Sequence, residues 1–211
     1  MFCIHTIVNQ PITSNCFILY DNTIDNNCII IDPGSKNVGT IVDFIQKTVL
    51  IPKYIILTHE HLDHCWGVNS LVERFYIPVV CSKLCSEAIQ NEKRKCSVFY
   101  DNKEAFSIHC DTISIESLDF VLSFSDKKVY FFNTPGHTEA SICCLVDKCL
   151  FTGDTLIKDM KTITKLPTGS AEKLKKSIEL FSKMKGNGFT VYPGHEKKFE
   201  LDKYDILKMI N

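Results

Sequence analysis

The sequence predicts an α/β (α+β) protein in which strands and helices alternate within one domain, residues 1–211. Short β-branched or aromatic runs alternate with segments whose apolar residues recur at helical spacing. Segments rich in Gly, Pro and Asn separate these runs, as turns do. No repeat, linker or low-complexity segment interrupts the chain, and its 211 residues suit one large domain.

The predicted elements follow one another along the whole chain. The strands are expected over residues 2–8, 16–20, 28–32, 54–58, 78–81, 128–133, 141–146, 149–153 and 189–192, with short strands within 106–124. The first helix is expected to begin at the capping residue Ser35, because apolar residues recur at helical spacing from Val38 to Ile45. Further helices are expected over 68–75, 82–95, 170–185 and 202–210.

The composition is that of an ordinary soluble globular protein. Hydrophobic residues make up 45% and charged residues 23%, which is enough for a core that needs no metal to hold it. The net charge of −1 predicts neither a nucleic-acid nor a membrane surface. Most of the 11 cysteines sit in apolar runs, and the first residues lack the pattern of a signal peptide. We therefore expect a reduced, cytoplasmic protein that acts on a small molecule.

The most informative segment is Thr58-His59-Glu60-His61-Leu62-Asp63-His64, which holds three of the 7 histidines. Two more histidines end the similar segments Thr134-Pro135-Gly136-His137 and Tyr192-Pro193-Gly194-His195. The segment Phe151-Thr152-Gly153-Asp154-Thr155 lies between them along the chain. Imidazole nitrogens and carboxylate oxygens suit zinc and its first-row neighbours. Because the candidate ligands follow predicted strands, loops distant in sequence can meet at one point.

The spacing of these residues allows two ions. In an extended segment His59 and His61 point the same way and can share one ion. A turn into the following helix can direct Asp63 and His64 toward a second ion. The carboxylate of Asp154 has two oxygens and can bridge two cations. A glycine precedes each downstream histidine, so the backbone can approach the cluster without a Cβ clash.

These motifs resemble those of the metallo-β-lactamase superfamily, and within it the glyoxalase II-like branch of short hydrolases. The matching segments are Asn15-Cys16-Phe17, Ile31-Asp32-Pro33-Gly34, the run from Thr58 to His64, Pro135-Gly136-His137-Thr138, Phe151-Thr152-Gly153-Asp154-Thr155-Leu156, Leu166-Pro167-Thr168-Gly169-Ser170 and Pro193-Gly194-His195. The resemblance implies a four-layer αββα sandwich, with two mixed β-sheets inside and helices outside.

The resemblance also implies the ligands and the reaction. His59, His61 and His137 would hold the first metal; Asp63, His64 and His195 would hold the second; and Asp154 would bridge them. The expected cofactors are two divalent ions, zinc by default, although iron and manganese suit the same donors. A metal-bridging hydroxide would then attack the substrate, with Asp63, His64 and Asp154 as catalytic groups. Thr58, Thr138 and Thr155 are candidates to orient the imidazoles.

A hydroxyacyl thioester is the substrate that the resemblance favours. The given sequence ends soon after His195, so we expect no separate glutathione-binding C-terminal domain. Thr162-Ile163 also replaces a Gly-Arg pair of the short relatives, which leaves glutathione specificity open. Nearby Lys158, Lys161 and Lys165 could hold a substrate carboxylate or form a solvated face.

Several alternatives stay open. A mononuclear-iron persulfide dioxygenase of the same superfamily would use only His59, His137 and Asp154, and a lactonase is another relative. A zinc β-lactamase is less favoured, since a cysteine would stand in place of Asp154. A metal-binding module without catalysis is the alternative from another class, and the oligomeric state is open. His5 and His109 are predicted to be non-ligands, and Cys65 is predicted to pack in the core.

Overall fold

The computed structural model describes residues 2–91, 107–117 and 119–206. Within these ranges the chain forms twelve strands and five α-helices. The strands are β1 (Cys3–Val8), β2 (Asn15–Tyr20), β3 (Asn27–Ile31), β4 (Ile51–Ile56), β5 (Val79–Ser82), β6 (Thr112–Ile115), β7 (Val121–Phe124), β8 (Lys127–Asn133), β9 (Ile142–Val146), β10 (Cys149–Gly153), β11 (Thr190–Pro193) and β12 (Phe199–Glu200). The helices are α1 (Gly39–Lys47), α2 (Leu62–Cys65), α3 (Val68–Phe75), α4 (Lys83–Ala88) and α5 (Ala171–Met184).

The first sheet has the strand order β1-β2-β3-β4-β5-β6. Its first three strands pair antiparallel, and β3 to β6 pair parallel through helical crossovers. Helices α1 and α3 cover its outer face, where Ile41 and Leu71 pack in one cluster with Ile30 and Ile55. The buried positions of α1 recur at helical spacing, and this amphipathic face holds the helix against the sheet.

The second sheet has the strand order β12-β11-β10-β9-β8-β7. Its pairs are antiparallel except β10 with β11, which are parallel and are joined through α5. Helix α5 begins where the sequence predicts, since the Ser170 hydroxyl accepts a hydrogen bond from the Lys173 amide at 3.3 Å. Leu174, Ile178 and Phe181 on its inner face pack against the outer face of this sheet.

The two sheets face each other across an apolar core. Phe17 of the first sheet contacts Phe151 and Tyr192 of the second, with ring centroids 5.2 and 5.7 Å apart. Ile31 and Ile56 belong to the same cluster and are fully buried. Helices on the outside and two sheets inside confirm the αββα sandwich that the resemblance implies.

Three sequence predictions about helices need correction or lie partly outside the described residues. Ser35 does not cap α1, which begins at Gly39, because the Ser35 hydroxyl and amide both bind the side chain of Asn9. The helix predicted over 82–95 is α4, which ends at Ala88, and residues 92–106 lie outside the described part. In place of the helix predicted over 202–210 there is a 3-10 turn at Leu201–Lys203, and residues 207–211 are not described.

The ten cysteines within the described ranges are free thiols, and seven of them are buried. Cys16 and Cys28 occupy the first sheet, and Cys143 and Cys144 occupy the second, as small apolar side chains do. None of the helices in the described part combines the length and the apolar character that crossing a bilayer requires.

Candidate metal centre

All seven predicted ligands meet at one edge of the sandwich. The loop after β4 carries His59 in a bend and His61 in extended backbone, and the short helix α2 then turns Asp63 and His64 inward. The second sheet contributes one residue after each of three strands: His137 follows β8, Asp154 follows β10 and His195 follows β11. Six of the seven side chains are buried, and that of His195 is 20% exposed.

One group of potential ligands consists of His59, His61 and His137. Their ligand atoms all lie within 4.8 Å of one another. His137 Nε2 is 2.8 Å from His61 Nδ1, so these two rings present their nitrogens to the same point. These are the three residues that the family resemblance implies for a first ion.

A second group consists of Asp63, His64 and His195, again with ligand atoms within 4.8 Å of one another. Asp63 Oδ2 lies 3.2 Å from His195 Nε2 and 3.6 Å from His64 Nε2. Asp63 and His64 enter this group from the short helix α2, which follows His61 directly.

The carboxylate of Asp154 lies between the two groups. Its Oδ1 is 3.5 Å from His64 Nε2, and its Oδ2 is 3.5 Å from both His137 Nε2 and His195 Nε2. A single carboxylate therefore faces nitrogens of both groups, which is the position that a bridging ligand needs.

Unsatisfied polar atoms show that these donors fit divalent cations. Among the described residues, no hydrogen-bond partner reaches the buried Nε2 atoms of His59, His61 and His64 or Oδ1 of Asp154. Buried polar atoms without partners are costly and rare in folded proteins. Cations would satisfy Nε2 of His59 and His64 and Oδ1 of Asp154, and nitrogen with carboxylate oxygen is a donor set typical of zinc and its neighbours.

Asp32, at the end of β3, fixes imidazoles of both groups. Its Oδ2 lies 2.9 Å from His64 Nδ1 and accepts a hydrogen bond of 2.6 Å from the Thr58 hydroxyl, which is 3.0 Å from His59 Nδ1. Its Oδ1 accepts from the Thr58 amide at 2.8 Å. The sequence marks Asp32 only as part of the matching segment Ile31-Asp32-Pro33-Gly34 and gives it no role, because its partner Thr58 lies 26 residues further along the chain.

The threonines predicted to orient imidazoles behave differently from one another. Thr58 contacts His59, as described. Thr138 instead donates to Glu60 Oε2 at 2.8 Å, and Thr155 contacts the hydroxyl of Thr134 at 3.1 Å. Only the first of the three therefore contacts an imidazole directly.

The loop after β10 supports the centre from the outside. His137 Nδ1 donates to the carbonyl of Ile163 at 2.8 Å, and the Thr162 hydroxyl donates to the carbonyl of Asp154 at 2.8 Å. The far end of the same loop is held by Tyr204, whose hydroxyl donates to Asp159 Oδ1 at 2.8 Å and accepts from the Asp159 amide.

Two glycines permit the close approach of the loops. A Cβ on Gly194 would lie 2.2 Å from Asp154 Oδ1 and 2.7 Å from His64 Cε1. Gly153 has a φ of +48°, and a Cβ there would lie 2.4 Å from the Thr58 hydroxyl oxygen. Ordinary contacts of a Cβ begin near 3.4 Å, so any larger residue at position 194 would displace the carboxylate.

The two groups differ in their electrostatics. Burial, together with the neighbouring His137, lowers the pKa of His61 to about 3 and keeps the ring neutral. Burial opposes charge on His64 and His195 too, but nearby carboxylates outweigh it and raise their pKa values to about 9 and about 10. Those imidazolium groups hold the pKa of Asp154 well below its usual range, against its burial. Without metal, the second group is thus a set of ion pairs.

The two histidines predicted to be non-ligands lie in other surroundings. His5 on β1 stacks on Phe44 of α1, with ring centroids 3.7 Å apart. His109 binds Asn69 through its backbone amide. Neither belongs to a group of potential ligands within the described residues. Cys65 is fully buried, and its thiol donates to the carbonyl of Glu60 at 3.4 Å.

This chain is similar in sequence and in fold to known proteins. The sequence model of the metallo-beta-lactamase superfamily matches residues 10–195. A hydroxyacylglutathione hydrolase of Buchnera aphidicola subsp. Baizongia pistaciae (strain Bp) is 28% identical over 85% of this chain, which spans 64% of that relative, less than two thirds of its length. The crystal structure of BLEG-1 B3 metallo-beta-lactamase has a TM-score of 0.85 at 24% identity and covers 94% of both chains. That of TTHA1623 in a di-iron-bound form has a TM-score of 0.74 at 23% identity, over 93% of this chain and 94% of that one.

Proposed function

The chain belongs to the metallo-β-lactamase superfamily, whose members are mostly metal-dependent hydrolases, and we propose that it hydrolyses a thioester at a binuclear metal centre. The observation that carries this proposal is the carboxylate of Asp154, which faces His64 on one side and His137 on the other. A mononuclear centre would need only part of this set. The convergence of Asp63, His64 and His195 into a second group beside Asp154 supports two ions.

The seven side chains divide between the two ions as follows: His59, His61 and His137 for the first, Asp63, His64 and His195 for the second, and Asp154 for both. When bound, the two ions supply an acidified water as nucleophile near neutral pH and positive charge for the carbonyl oxygen and the leaving thiolate. Asp63 Oδ2 lies 3.2 Å from His195 Nε2, the most exposed of the candidate ligands, where it can accept a proton from the attacking water.

The remaining groups of the chain position this machinery. Asp32 holds the rings of His59 and His64 through contacts on their Nδ1 side, which leaves both Nε2 atoms directed inward. The carbonyl of Ile163 does the same for His137. Such supporting hydrogen bonds fix ligand orientation and strengthen metal binding.

Two considerations support a thioester. The Buchnera relative is named for the hydrolysis of a hydroxyacylglutathione, which is a thioester. A thiolate leaves readily and is itself a good ligand for zinc. We propose zinc because a set of imidazoles and carboxylates suits it, and the experiment below also reads the metal, since iron and manganese bind the same donors.

The test combines metal analysis with a screen of thioesters, lactones and persulfides. We expect two equivalents of zinc and hydrolysis of thioesters. One equivalent of iron with oxygen uptake on a persulfide would overturn the proposal in favour of a dioxygenase. Preferred turnover of lactones would overturn the substrate class. Two bound ions with no turnover of any substrate would favour a metal-binding module without catalysis.

The bridging role of Asp154 is tested by the isosteric variant Asp154→Asn. The amide removes the charge and one acceptor, so we expect loss of at least one ion and a fall in turnover of at least about 100-fold, the upper end of the effect of removing a supporting group. Asp43→Asn, an exposed position on α1, is the matched control and should change neither. Retention of both ions and full turnover in Asp154→Asn would contradict the assignment.

A further inference from the structure

A cleft of about 500 Å³ lies beside the metal centre, between the β1–β2 hairpin and the segment that follows β11. Its floor includes the rings of Phe17 and Tyr192, and its walls include Val8 and Pro193. A volume of this size is typical of small-molecule sites, which lie between about 300 and 1,000 Å³.

The cleft adjoins the chain segment that carries His195, although none of the seven candidate ligands lines it. Pro193 and Glu196 both line it, so the residues on either side of Gly194 and His195 form part of its wall. Asn15 fixes this segment, since its side-chain amide donates to the carbonyls of Pro193 and Glu196 at 2.9 and 2.8 Å. His195 is also the most exposed of the seven candidate ligands, at 20%. The cleft therefore borders the chain segment that carries the most exposed of the seven candidate ligands.

The rim of the cleft carries more positive than negative charge. Lys197 and Lys198 are exposed and line it together with the single carboxylate of Glu196. Lys198 Nζ lies over the Tyr192 ring, 5.5 Å from its centre, so one ammonium group stands directly beside the aromatic floor. An apolar floor with ammonium groups at its rim suits a ligand that is apolar in the middle and anionic at the end.

We propose that this cleft binds one arm of the substrate, an apolar stretch that ends in a carboxylate or phosphate, and that Lys197 and Lys198 recognise the anionic end. The inference rests on the proposed thioester hydrolysis and names the substrate class within it. The anionic group sits on either the acyl side or the thiol side of the thioester, and the substrates below distinguish the two.

The experiment compares three thioesters on the metal-loaded protein: a neutral phenylacetyl thioester of N-acetylcysteamine, the same acyl group on 3-mercaptopropionate, and a glutaryl thioester of N-acetylcysteamine. In the double variant Lys197→Gln/Lys198→Gln, KM for the anionic thioester that uses the cleft should rise about 5- to 10-fold, as expected for two partly solvated charge contacts. The turnover number and the KM of the neutral thioester should not change.

Two further variants sharpen the result. Glu196→Gln removes the one negative charge of the rim, so it should lower KM for the same anionic thioester. Lys175→Gln, which changes an exposed lysine on the outer helix α5, is the matched control and should leave KM unchanged for all three substrates. An unchanged KM for both anionic thioesters in the double variant would overturn the inference.

Failure of the proposed function is distinguishable from failure of this inference. If the wild-type protein hydrolyses none of the three thioesters, binding of 3-phenylpropionate is measured directly against neutral 3-phenylpropanol. Tighter binding of the carboxylate that is lost in the double variant but kept in Lys175→Gln supports the cleft as an anion-selective site. Equal binding of the carboxylate to the wild type and the double variant overturns it.

Discussion

Replacement of Gly194 by alanine should disable the metal centre while leaving the fold in place. The new Cβ would lie 2.2 Å from Asp154 Oδ1, whereas ordinary Cβ contacts begin near 3.4 Å, so the carboxylate must retreat by about 1 Å. Misplacement of a reacting group by that amount costs about 100-fold in rate. The strain of overpacking should lower the free energy of unfolding by about 1–3 kcal/mol.

The backbone hydrogen bonds of Gly194 do not depend on its side chain. Its amide donates to the carbonyl of Gly153 and its carbonyl accepts from the amide of Asn15, and alanine keeps both groups. Its Cβ would also lie 2.9 Å from the carbonyl carbon of Gly153, so the backbone there must shift by a few tenths of an ångström to keep the first bond. We therefore expect Gly194→Ala to fold cooperatively, but to bind fewer than two ions and to lose about 100-fold in thioester turnover. The assay measures metal content, turnover and thermal unfolding with and without added metal.

Gly39→Ala is the matched control for this prediction. Position 39 begins α1, and the nearest atom to its added Cβ is the side-chain oxygen of the exposed Asn37 at 3.0 Å. Alanine favours a helix over glycine by up to about 1 kcal/mol, so this variant should be as stable as the wild type or more so. If Gly194→Ala bound both ions and turned over like the control, the steric argument would be refuted.

Three more predictions concern groups around the ligands. Asp32→Asn replaces an acceptor by a donor opposite His64 Nδ1, so it should weaken metal binding about 10- to 100-fold, as measured by competition with a chelator. It should also lower the free energy of unfolding by about 1–3 kcal/mol. Tyr204→Phe frees Asp159 and loosens the loop that holds His137, so it should weaken metal binding about 10-fold with a loss of stability of about 1 kcal/mol. Loading the metal-free protein at pH 7 should release about two protons, measured in weakly buffered solution, because the imidazoles with pKa values of about 9 and about 10 must lose theirs to bind. Since both pKa values are raised by folding, their contribution to the stability of the metal-free protein is complete below pH 6.5 and should fade as the pH rises through 9 and 10.

Each of these predictions has a clear contrary outcome. Unchanged metal affinity in Asp32→Asn would mean that its hydrogen bonds do not orient the imidazoles. Lower stability without weaker metal binding in Tyr204→Phe would reduce the tyrosine to a packing role. Loading without proton release, or a metal-free protein that becomes more stable between pH 7 and pH 10, would contradict the ion pairs assigned to the second group.

The ligand set could be predicted from the sequence because its chemistry is concentrated in short segments. His59, His61, Asp63 and His64 occupy a single run, and the two downstream histidines follow Pro-Gly pairs. The resemblance to the metallo-β-lactamase superfamily is confirmed by the family match, and the sandwich is confirmed by the fold. The structure brings the seven side chains together, while their roles as ligands stay predictions.

Features that depend on tertiary contacts were beyond the reach of local patterns. Asp32 meets Thr58 across two neighbouring parallel strands, and nothing near it in sequence signals that partner. Ser35 has the residue type and position of a helix cap, but its hydroxyl donates a hydrogen bond to the side chain of Asn9, on the loop after β1. The cleft beside His195 depends on the first hairpin and the segment after β11, which lie far apart along the chain.

The division of the ligands between the sheets has a mechanical consequence. His59 and His64 follow a strand of the first sheet, whereas His137, Asp154 and His195 follow strands of the second sheet. Bound ions would therefore connect the two sheets at the edge where these loops meet. An ion present at 100 times its dissociation constant adds about 2.7 kcal/mol to the free energy of unfolding. Removal of the ions by a chelator would therefore destabilise the contact between the two sheets before it destabilises either sheet. The rate of proteolysis at the loops that carry the ligands would then measure the metal occupancy of the protein.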